Sequence, residues 1–241
     1  GLMQYPVTGT YKAGWNLGEE FVNLYVGLQG EFVKPGTAVI SVNNEKGVAA
    51  LNMMKQLADY MHPDYLTFDS TAVATQLTQG QHAMANVWGS RGSFVLDPAN
   101  HAEGVTGNFE FAAAPTIGGG STPATTMWWG GIVIAANQSD EEAEVAFQVM
   151  LEGADSEMVR ANNDLLVWLD PAYDPQPATV GVFASAAGGA PSYPMMPFMG
   201  LLHTAFGSNI ADFLQGKESA SQTLTDISDA YTAAAKEAGF L

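Results

Sequence analysis

The sequence predicts an α/β fold whose sheet is mainly parallel or mixed. Apolar stripes with the 3.6-residue period of a helix alternate along the chain with short β-branched or alternating runs. This alternation favours α/β over an all-β sandwich or a helical bundle. With 241 residues, 47% of them apolar, the chain can bury a substantial core in one large domain or two small ones.

Three helices are predicted in the first third of the chain. Apolar residues recur at i, i+3, i+4 and i+7 over 21–28, and the stripe stops at Gly30, a residue suited to the position beyond a helix end. Asn44 is a suitable N-cap for a second helix, which ends where His62 meets a proline. A shorter helix is predicted from Ser70 to a glycine at position 80.

The later helices have equally clear boundaries. Ser139 with Glu142 three residues on forms a capping box, which predicts a helix over 139–153. Two more helices are predicted, over 198–216 and 224–239, and each ends at a glycine.

Short runs between the helices have the length of buried strands, namely 38–42, 82–87, 108–113 and 132–135. The segments 116–126 and 170–197 are rich in Gly, Pro, Ser and Thr, so we expect long surface connections there. Loops of this size are usually functional or join two lobes.

Composition excludes several classes of function. Eight Lys plus Arg against 25 Asp plus Glu give a net charge of −17, which disfavours binding to nucleic acid or anionic lipid. The absence of cysteine excludes disulfides, cysteine-ligated metals and thiol nucleophiles. The longest nearly uncharged apolar run, 127–136, is about half the ~20 residues of a membrane helix, and nothing at Gly1 has the pattern of a signal peptide. We therefore expect a soluble, trimmed chain.

Known catalytic motifs are absent, and neither a metal nor a cofactor is predicted. The sequence holds no phosphate-binding loop, HExxH or GxSxG motif. His62, His82, His101 and His203 have no paired i, i+4 spacing, so we expect surface or core-edge residues and not metal ligands. Two carboxylates that meet only in space would suffice for glycoside hydrolysis, so a glycan-active enzyme stays open as an alternative.

The most informative residues are four tryptophans near predicted element ends: Trp15, Trp88, Trp128 and Trp129. A flat ring face packs against the C–H surface of a sugar, while nearby polar groups bind its hydroxyls. Single tryptophans are also common core residues. Because neighbours on a strand point to opposite faces, Trp128 and Trp129 are not both expected to be buried.

Five segments in order resemble the sugar-binding group of extracytoplasmic solute-binding proteins of ABC importers, the group related to maltose-binding protein. They are NEKGVAAL at 44–51, LTQGQHAM at 77–84, FAAAP at 111–115, WGGIVI at 129–134 followed by the helix at 139–147, and LQGKESA at 214–220. The resemblance implies a periplasmic or extracytoplasmic receptor, not an enzyme, that binds a small carbohydrate and delivers it to ABC permease subunits in the membrane.

The family fold is the type II periplasmic-binding-protein fold, in which two α/β lobes close on ligand. Family chains carry most of the first lobe before the counterpart of Tyr11, and here that segment is missing. We therefore expect a C-terminal lobe fragment, mainly one lobe with a mixed sheet flanked by helices. Residues 1–131 would form its first segment, 132–191 would belong to the N-terminal lobe and hinge, and 192–241 would supply the closing helices. Gly1 would be a residue left by tag removal.

The helix at 139–153 has apolar residues that need a cover: Ala143, Phe147, Met150 and Leu151. We expect them to pack on this same lobe or against a second copy of the chain.

By the resemblance, ligand contacts come from the turn after the Ala-Met strand, from the Gly-Gly turn and from aromatics near the penultimate helix. The expected ligand-binding residues are Trp15, Asn86, Trp88, Arg91, Trp128, Trp129, Gly130, Gly131, Tyr193 and Phe198. Arg91 is suited to sugar hydroxyls or a carboxylate, or else forms a surface ion pair.

The ligand class stays open at this stage. Aromatic loops favour a sugar or oligosaccharide, whereas Met195, Met196 and Met199 would equally form an adaptable wall for another solute, such as a polyol or a peptide.

Overall fold

The structure is a computed structural model that describes residues 3–105, 107 and 109–241. Gly1 therefore lies outside the described residues. The α-helices are α1 (Trp15–Gly27), α2 (Glu45–Ala58), α3 (Ser70–Thr78), α4 (Gly92–Leu96), α5 (Asp140–Gly153), α6 (Ser156–Ala161), α7 (Val180–Ala187), α8 (Met199–Leu214) and α9 (Ala220–Glu237). Short 3-10 turns occur at Tyr65–Thr67, Gly89–Arg91, Pro98–Asn100 and Pro177–Thr179. Strands β1 (Val7–Gly9) and β2 (Met84–Asn86) pair in parallel.

The main core lies between four helices. α8 packs against both α1 and α9, and α2 closes the group. Phe21 of α1 stands at its centre, with ring centroids 4.7 Å from Phe206 and 5.5 Å from Tyr25. The largest fully buried side chains are Tyr11, Tyr25, Tyr231, Phe21, Phe206, Leu17, Leu51, Met54, Met199, Leu202, Ile210 and Leu224.

Side-chain caps fix the helix starts. Asn44 Oδ1 accepts hydrogen bonds from two backbone N–H groups of α2, and the Ser139 capping box of α5 is formed, as predicted. The cap of α3 is Asp69, one residue before the predicted Ser70. α1 begins at Trp15, six residues earlier than its apolar stripe indicates.

The sheet is smaller than predicted. The run 82–87 narrows to β2, and its parallel partner β1 was not predicted. The run 38–42 folds back through a single antiparallel bridge between Val33 and Ile40. Of 108–113, Asn108 lies outside the described residues and 109–113 forms no strand.

The predicted strand 132–135 is also wrong. Val133 is 88% exposed, and the backbone of this run has no pairing partner within the described part of the chain. A β-branched run becomes a strand only where a neighbouring strand accepts its hydrogen bonds.

α5 stands apart from the core. It has no buried residue, and Phe147 and Leu151 on its apolar face are each about half exposed. The prediction that this face packs on the same lobe is therefore wrong for the residues that the structure describes. By contrast, α7 and the turn before it do pack on the lobe, with Val182 against Gly89 and Ala178 against Gly92.

Among the helices in the described ranges, we find none whose length and apolarity together suit a membrane crossing.

Candidate functional site

The parallel pairing of β1 and β2 brings two tryptophans to one place. β1 ends at Gly9 and β2 at Asn86, which are register partners. Trp15 follows β1 as the first residue of α1, and Trp88 follows β2. Because parallel strands end at the same edge of a sheet, the side chains that follow them converge there, where α/β proteins bind ligands.

A parallel bridge elsewhere in the chain brings a third tryptophan and a tyrosine together. Met127 and Ser192 form a parallel bridge, in which Met127 N–H donates to Pro191 and Tyr193 N–H donates to Met127. The residues that follow the bridge, Trp128 and Tyr193, therefore lie side by side, with ring centroids 4.0 Å apart.

Together, Trp15, Trp88, Trp128 and Tyr193 form one aromatic cluster. The Trp15 ring stacks on Trp88 at 5.7 Å, and Trp128 meets both tryptophans edge-on at 5.7 and 5.5 Å. Trp15 is 50% and Trp128 42% exposed. The cluster therefore presents ring surface to solvent while its members hold one another in position.

His203 of α8 supports the cluster from the core side. Its buried ring stacks on Trp15 at 4.6 Å. Nε2 lies 2.8 Å from the Trp15 carbonyl, which only accepts, so Nε2 carries the proton and Nδ1 accepts from the Tyr193 hydroxyl at 2.8 Å. Burial lowers the pKa of His203, which keeps the ring neutral in this arrangement.

Glu19 lies beneath Trp128. Its Oε1 accepts from Thr126 Oγ1 at 2.6 Å and from Trp128 Nε1 at 3.2 Å, and the side chain is 3% exposed. Asn23, one turn further along α1, accepts from the Thr126 backbone N–H at 2.9 Å. These bonds tie the 126–128 loop to α1.

Burial changes the acid-base behaviour of this region. Desolvation raises the pKa of Glu19 to about 7, while the bonds from Thr126 and Trp128 oppose the shift. Burial, together with the nearby Glu19 charge, raises the pKa of Tyr193 well above its usual value. The hydroxyl of Tyr193 thus stays protonated, as its donated hydrogen bond to His203 Nδ1 requires.

Two polar residues of the predicted site lie next to the cluster. Asn86 is exposed at the end of β2. Arg91 donates from Nε and one terminal nitrogen to Ser70 Oγ at 3.2 and 3.1 Å. It forms no ion pair with any described residue, so the alternative of a surface ion pair is not observed.

The Gly-Gly turn comes soon after Trp128 in the chain. Trp129 is 64% exposed, and its ring lies against Gly131. Gly130 is exposed as well, with open space where a Cβ would stand among the described atoms. The expectation that Trp128 and Trp129 are not both buried agrees with their exposure, since both are accessible.

The structure does not bring Phe198 to the cluster. Its ring is buried against Tyr231 and Phe240, with centroids 6.3 and 5.7 Å away. It precedes α8 and lines a separate shallow groove. Its apolar ring belongs to the core of α8 and α9, so its expected place among the ligand contacts needs correction.

Sequence reasoning missed the polar support of the cluster. Glu19 and Asn23 follow Trp15 at i+4 and i+8, the spacing that places residues on one helix face. That spacing could have predicted that both side chains lie on the same face of α1 as Trp15. His203 carried no such signal, because its contact with Trp15 depends on how α8 packs on α1.

The arrangement suits binding more than bond-breaking chemistry. It offers flat apolar rings, the guanidinium of Arg91 and an exposed amide at Asn86. Such a combination is typical of a site for a small polyhydroxylated molecule. Within the described ranges we find no group of His, Asp and Glu side chains arranged to hold a metal ion.

The sequence matches a known protein family over more than half its length. The model of the bacterial extracellular solute-binding proteins matches residues 5–152. No curated protein matches the chain significantly.

Solved structures of solute-binding proteins share the fold. An ABC transporter solute-binding protein from Agrobacterium radiobacter K84, in complex with ribitol, superposes with a TM-score of 0.77 at 19% identity, over 97% of this chain and 60% of its own. A protein of the same class from Agrobacterium vitis S4, with bound D-mannitol, gives 0.75 at 16% identity, over 98% and 62%. Maltose-bound T. maritima MalE3 gives 0.74 at 15% identity, over 95% and 60%. The chain thus spans about 60% of the length of these proteins.

Proposed function

We propose a carbohydrate or polyol ligand for this chain, which belongs to the family of bacterial extracellular solute-binding proteins. In this proposal the chain is part of the solute-binding component of an ABC importer. It captures its ligand outside the cytoplasm and presents it to permease subunits in the membrane. Its role is binding and delivery, without turnover of the ligand.

The observation that carries the proposal is the convergence of Trp15, Trp88, Trp128 and Tyr193. Their stacked and edge-on contacts leave ring surface open to solvent. Exposed tryptophans are costly unless a partner covers them, and a sugar or polyol covers them with C–H groups while its hydroxyls meet Asn86 and Arg91. The ligands of the similar structures, ribitol, D-mannitol and maltose, belong to this chemical class.

The proposal includes a division of the chain. Residues 1–131 and 192–241 form one lobe. Within 132–191, α5 reaches toward a second lobe that lies outside this sequence, while α7 and the turn before it pack on the first lobe. Two findings support it: the chain spans 60% of the similar structures, and α5 has no buried residue. The second lobe then covers the apolar face of α5. A second copy of the chain is the alternative cover.

A tryptophan-fluorescence titration tests the ligand class. The panel is maltose, maltotriose, ribitol, D-mannitol, an amino-acid mixture and a short peptide. Because a single lobe makes only part of the contacts, Kd is expected near ~1 mM, so titrations extend to tens of millimolar. We expect a response to one sugar or polyol class that Trp88→Ala abolishes.

Trp168 provides the matched control. It is a tryptophan outside the cluster, with its indole nitrogen bonded to the Asn162 carbonyl at 3.2 Å. Trp168→Phe should therefore keep the response. A response to the peptide or amino acids alone would contradict the ligand class, and hydrolysis of maltotriose would favour the enzyme alternative.

A further inference from the structure

We propose that Glu19 is a positioning residue for the aromatic cluster: its carboxylate holds the Trp128 indole from beneath, and loss of its negative charge loosens that ring and weakens ligand binding. The binding part of this inference rests on the proposed function. The positioning part concerns the ligand-free protein and is tested without a ligand.

The geometry places Glu19 where it controls one face of the cluster. Oε1 accepts from Thr126 Oγ1 and from Trp128 Nε1, and the indole N–H of Trp128 also donates to Thr126 Oγ1 at 2.9 Å, so Glu19 holds the indole both directly and through Thr126. Trp128 also contacts the rings of Trp15, Trp88 and Tyr193, so a shift of its indole changes the whole cluster.

The charge matters because of the bond type. A hydroxyl-to-carboxylate bond of 2.6 Å is in the range of charge-assisted bonds, which are about twice as strong as neutral ones. Glu19 Oε2 is buried and has no hydrogen-bond partner among the described residues. A buried carboxylate held by one oxygen alone is poorly compensated, so it takes up a proton more readily than a surface glutamate does.

The ionisable groups around Glu19 do not neutralise it. Glu20 is its neighbour on α1, and Tyr193 and His203 approach from the segment before α8 and from α8 itself. On α2, Lys46 and Lys55 donate to the carbonyls of Gln29 and Phe213. Within the described part of the chain, the ion pairs do not include Glu19.

The direction of the effect follows from the proton equilibrium. With its pKa raised to about 7 by burial, Glu19 is mostly charged at pH 8 and mostly neutral at pH 6. The bond to Trp128 is therefore stronger at the higher pH. Burial lowers the pKa of His203, so its ring takes up a proton less readily than an ordinary histidine does.

The first experiment follows the five indole N–H signals of the ligand-free protein by NMR between pH 5.5 and 8.5. The Trp128 signal should move with a midpoint near 7, and the Trp168 signal should not. Glu19→Gln, which keeps an acceptor oxygen but has no charge, should remove the transition. Glu20→Gln is the matched control: Glu20 bonds to Thr10 and not to the cluster, so the transition should remain, with a lower midpoint because the Glu20 charge raises the pKa of Glu19.

A static Trp128 signal, or a transition that persists in Glu19→Gln, would overturn the positioning role. Should Glu19→Gln fail to fold, Trp128→Phe gives a second test through ligand affinity: it keeps Glu19 but lacks the indole donor, so its Kd should be the same at pH 6 and pH 8.

The second experiment measures the Kd of maltotriose and of ribitol at pH 6 and pH 8. Whichever of the two ligands binds should have a Kd about three- to fivefold higher at pH 6 than at pH 8. A change of this size is expected when one hydrogen bond loses its charge assistance. Glu19→Gln and Trp128→Phe should show equal affinity at both pH values, while Glu20→Gln should still bind more weakly at pH 6 than at pH 8. An equal Kd at both pH values in the parent would refute the binding part. If no sugar or polyol of the fluorescence panel binds at any pH, the proposed function fails, and the indole titration still decides the positioning role.

Discussion

At the scale of single residues, Glu19 illustrates a conflict between stability and site geometry. Its raised pKa means that the folded chain holds the proton more tightly than the unfolded chain. The stability from the neutral form is thus fully present below pH ~4.5 and is lost as pH rises through about 7. A charge that lowers stability near neutral pH is typical of a residue retained for its site.

Glu19→Gln should therefore stabilise the fold at pH 8 and have little effect at pH 4.5. The gain at pH 8 is at most about 3 kcal/mol, from a shift of roughly two and a half pKa units. Urea unfolding of both proteins at the two pH values measures it. An equal change in the free energy of unfolding at both pH values would mean that folding does not shift the pKa of Glu19.

Some residues of the candidate site could be predicted from the sequence and others could not. Tryptophans at element ends were recognisable because their type and place are unusual, and three of the four do converge. Phe198 was misplaced because a phenylalanine beside methionines and prolines looks alike in a core and in a cleft. His203 was missed because its role comes from ring stacking across two helices, which leaves no local pattern.

At the scale of elements, close packing of α1 on α8 brings His203 under the aromatic cluster. A Cβ at Gly18 would stand 2.9 Å from His203 Cδ2 and from the His203 carbonyl oxygen. Gly207 of α8 similarly approaches the backbone of Gly14, just before α1. These two glycines let the helices come near enough for His203 to stack on Trp15.

Gly18→Ala should separate α1 from α8 and displace His203. We expect a loss of about 1–3 kcal/mol in the free energy of unfolding, the usual range for overpacking a core. Gly200→Ala on α8 is the matched control, because its Cβ meets no described atom within 4 Å. Denaturant unfolding checks both, and equal stability of Gly18→Ala and its parent would contradict this account of the packing.

Helices were easier to predict than strands for a physical reason. The Asn44 cap and the Ser139 capping box are local interactions, so the sequence near them is sufficient to place α2 and α5. A strand depends on a distant partner, as β1 and β2 show across 75 or more residues. The runs 108–113 and 132–135 have strand composition without such a partner among the described residues.

At the scale of the whole molecule, stability should be unevenly distributed. α1, α8 and α9 share a continuous buried core, whereas α5 buries no residue. Amide hydrogen exchange should therefore be slow in α1 and α8 and fast throughout α5.

The same measurement identifies what covers α5. Its amides should stay fast at low concentration and become protected in a protein that carries a second lobe. Protection that grows with the concentration of this chain alone would instead favour a second copy. Slow exchange of α5 in a dilute monomer would contradict its exposed position.

The central claim is that the aromatic cluster is the ligand surface, and an NMR titration of the five indole signals tests it most directly. Maltotriose and ribitol are added in turn up to tens of millimolar at pH 8. We predict that the signals of Trp15, Trp88 and Trp128 shift together and saturate with one of the two ligands, while the Trp168 signal stays in place. Saturable shifts confined to Trp168, or no saturable shift in the cluster with either ligand, would contradict the claim.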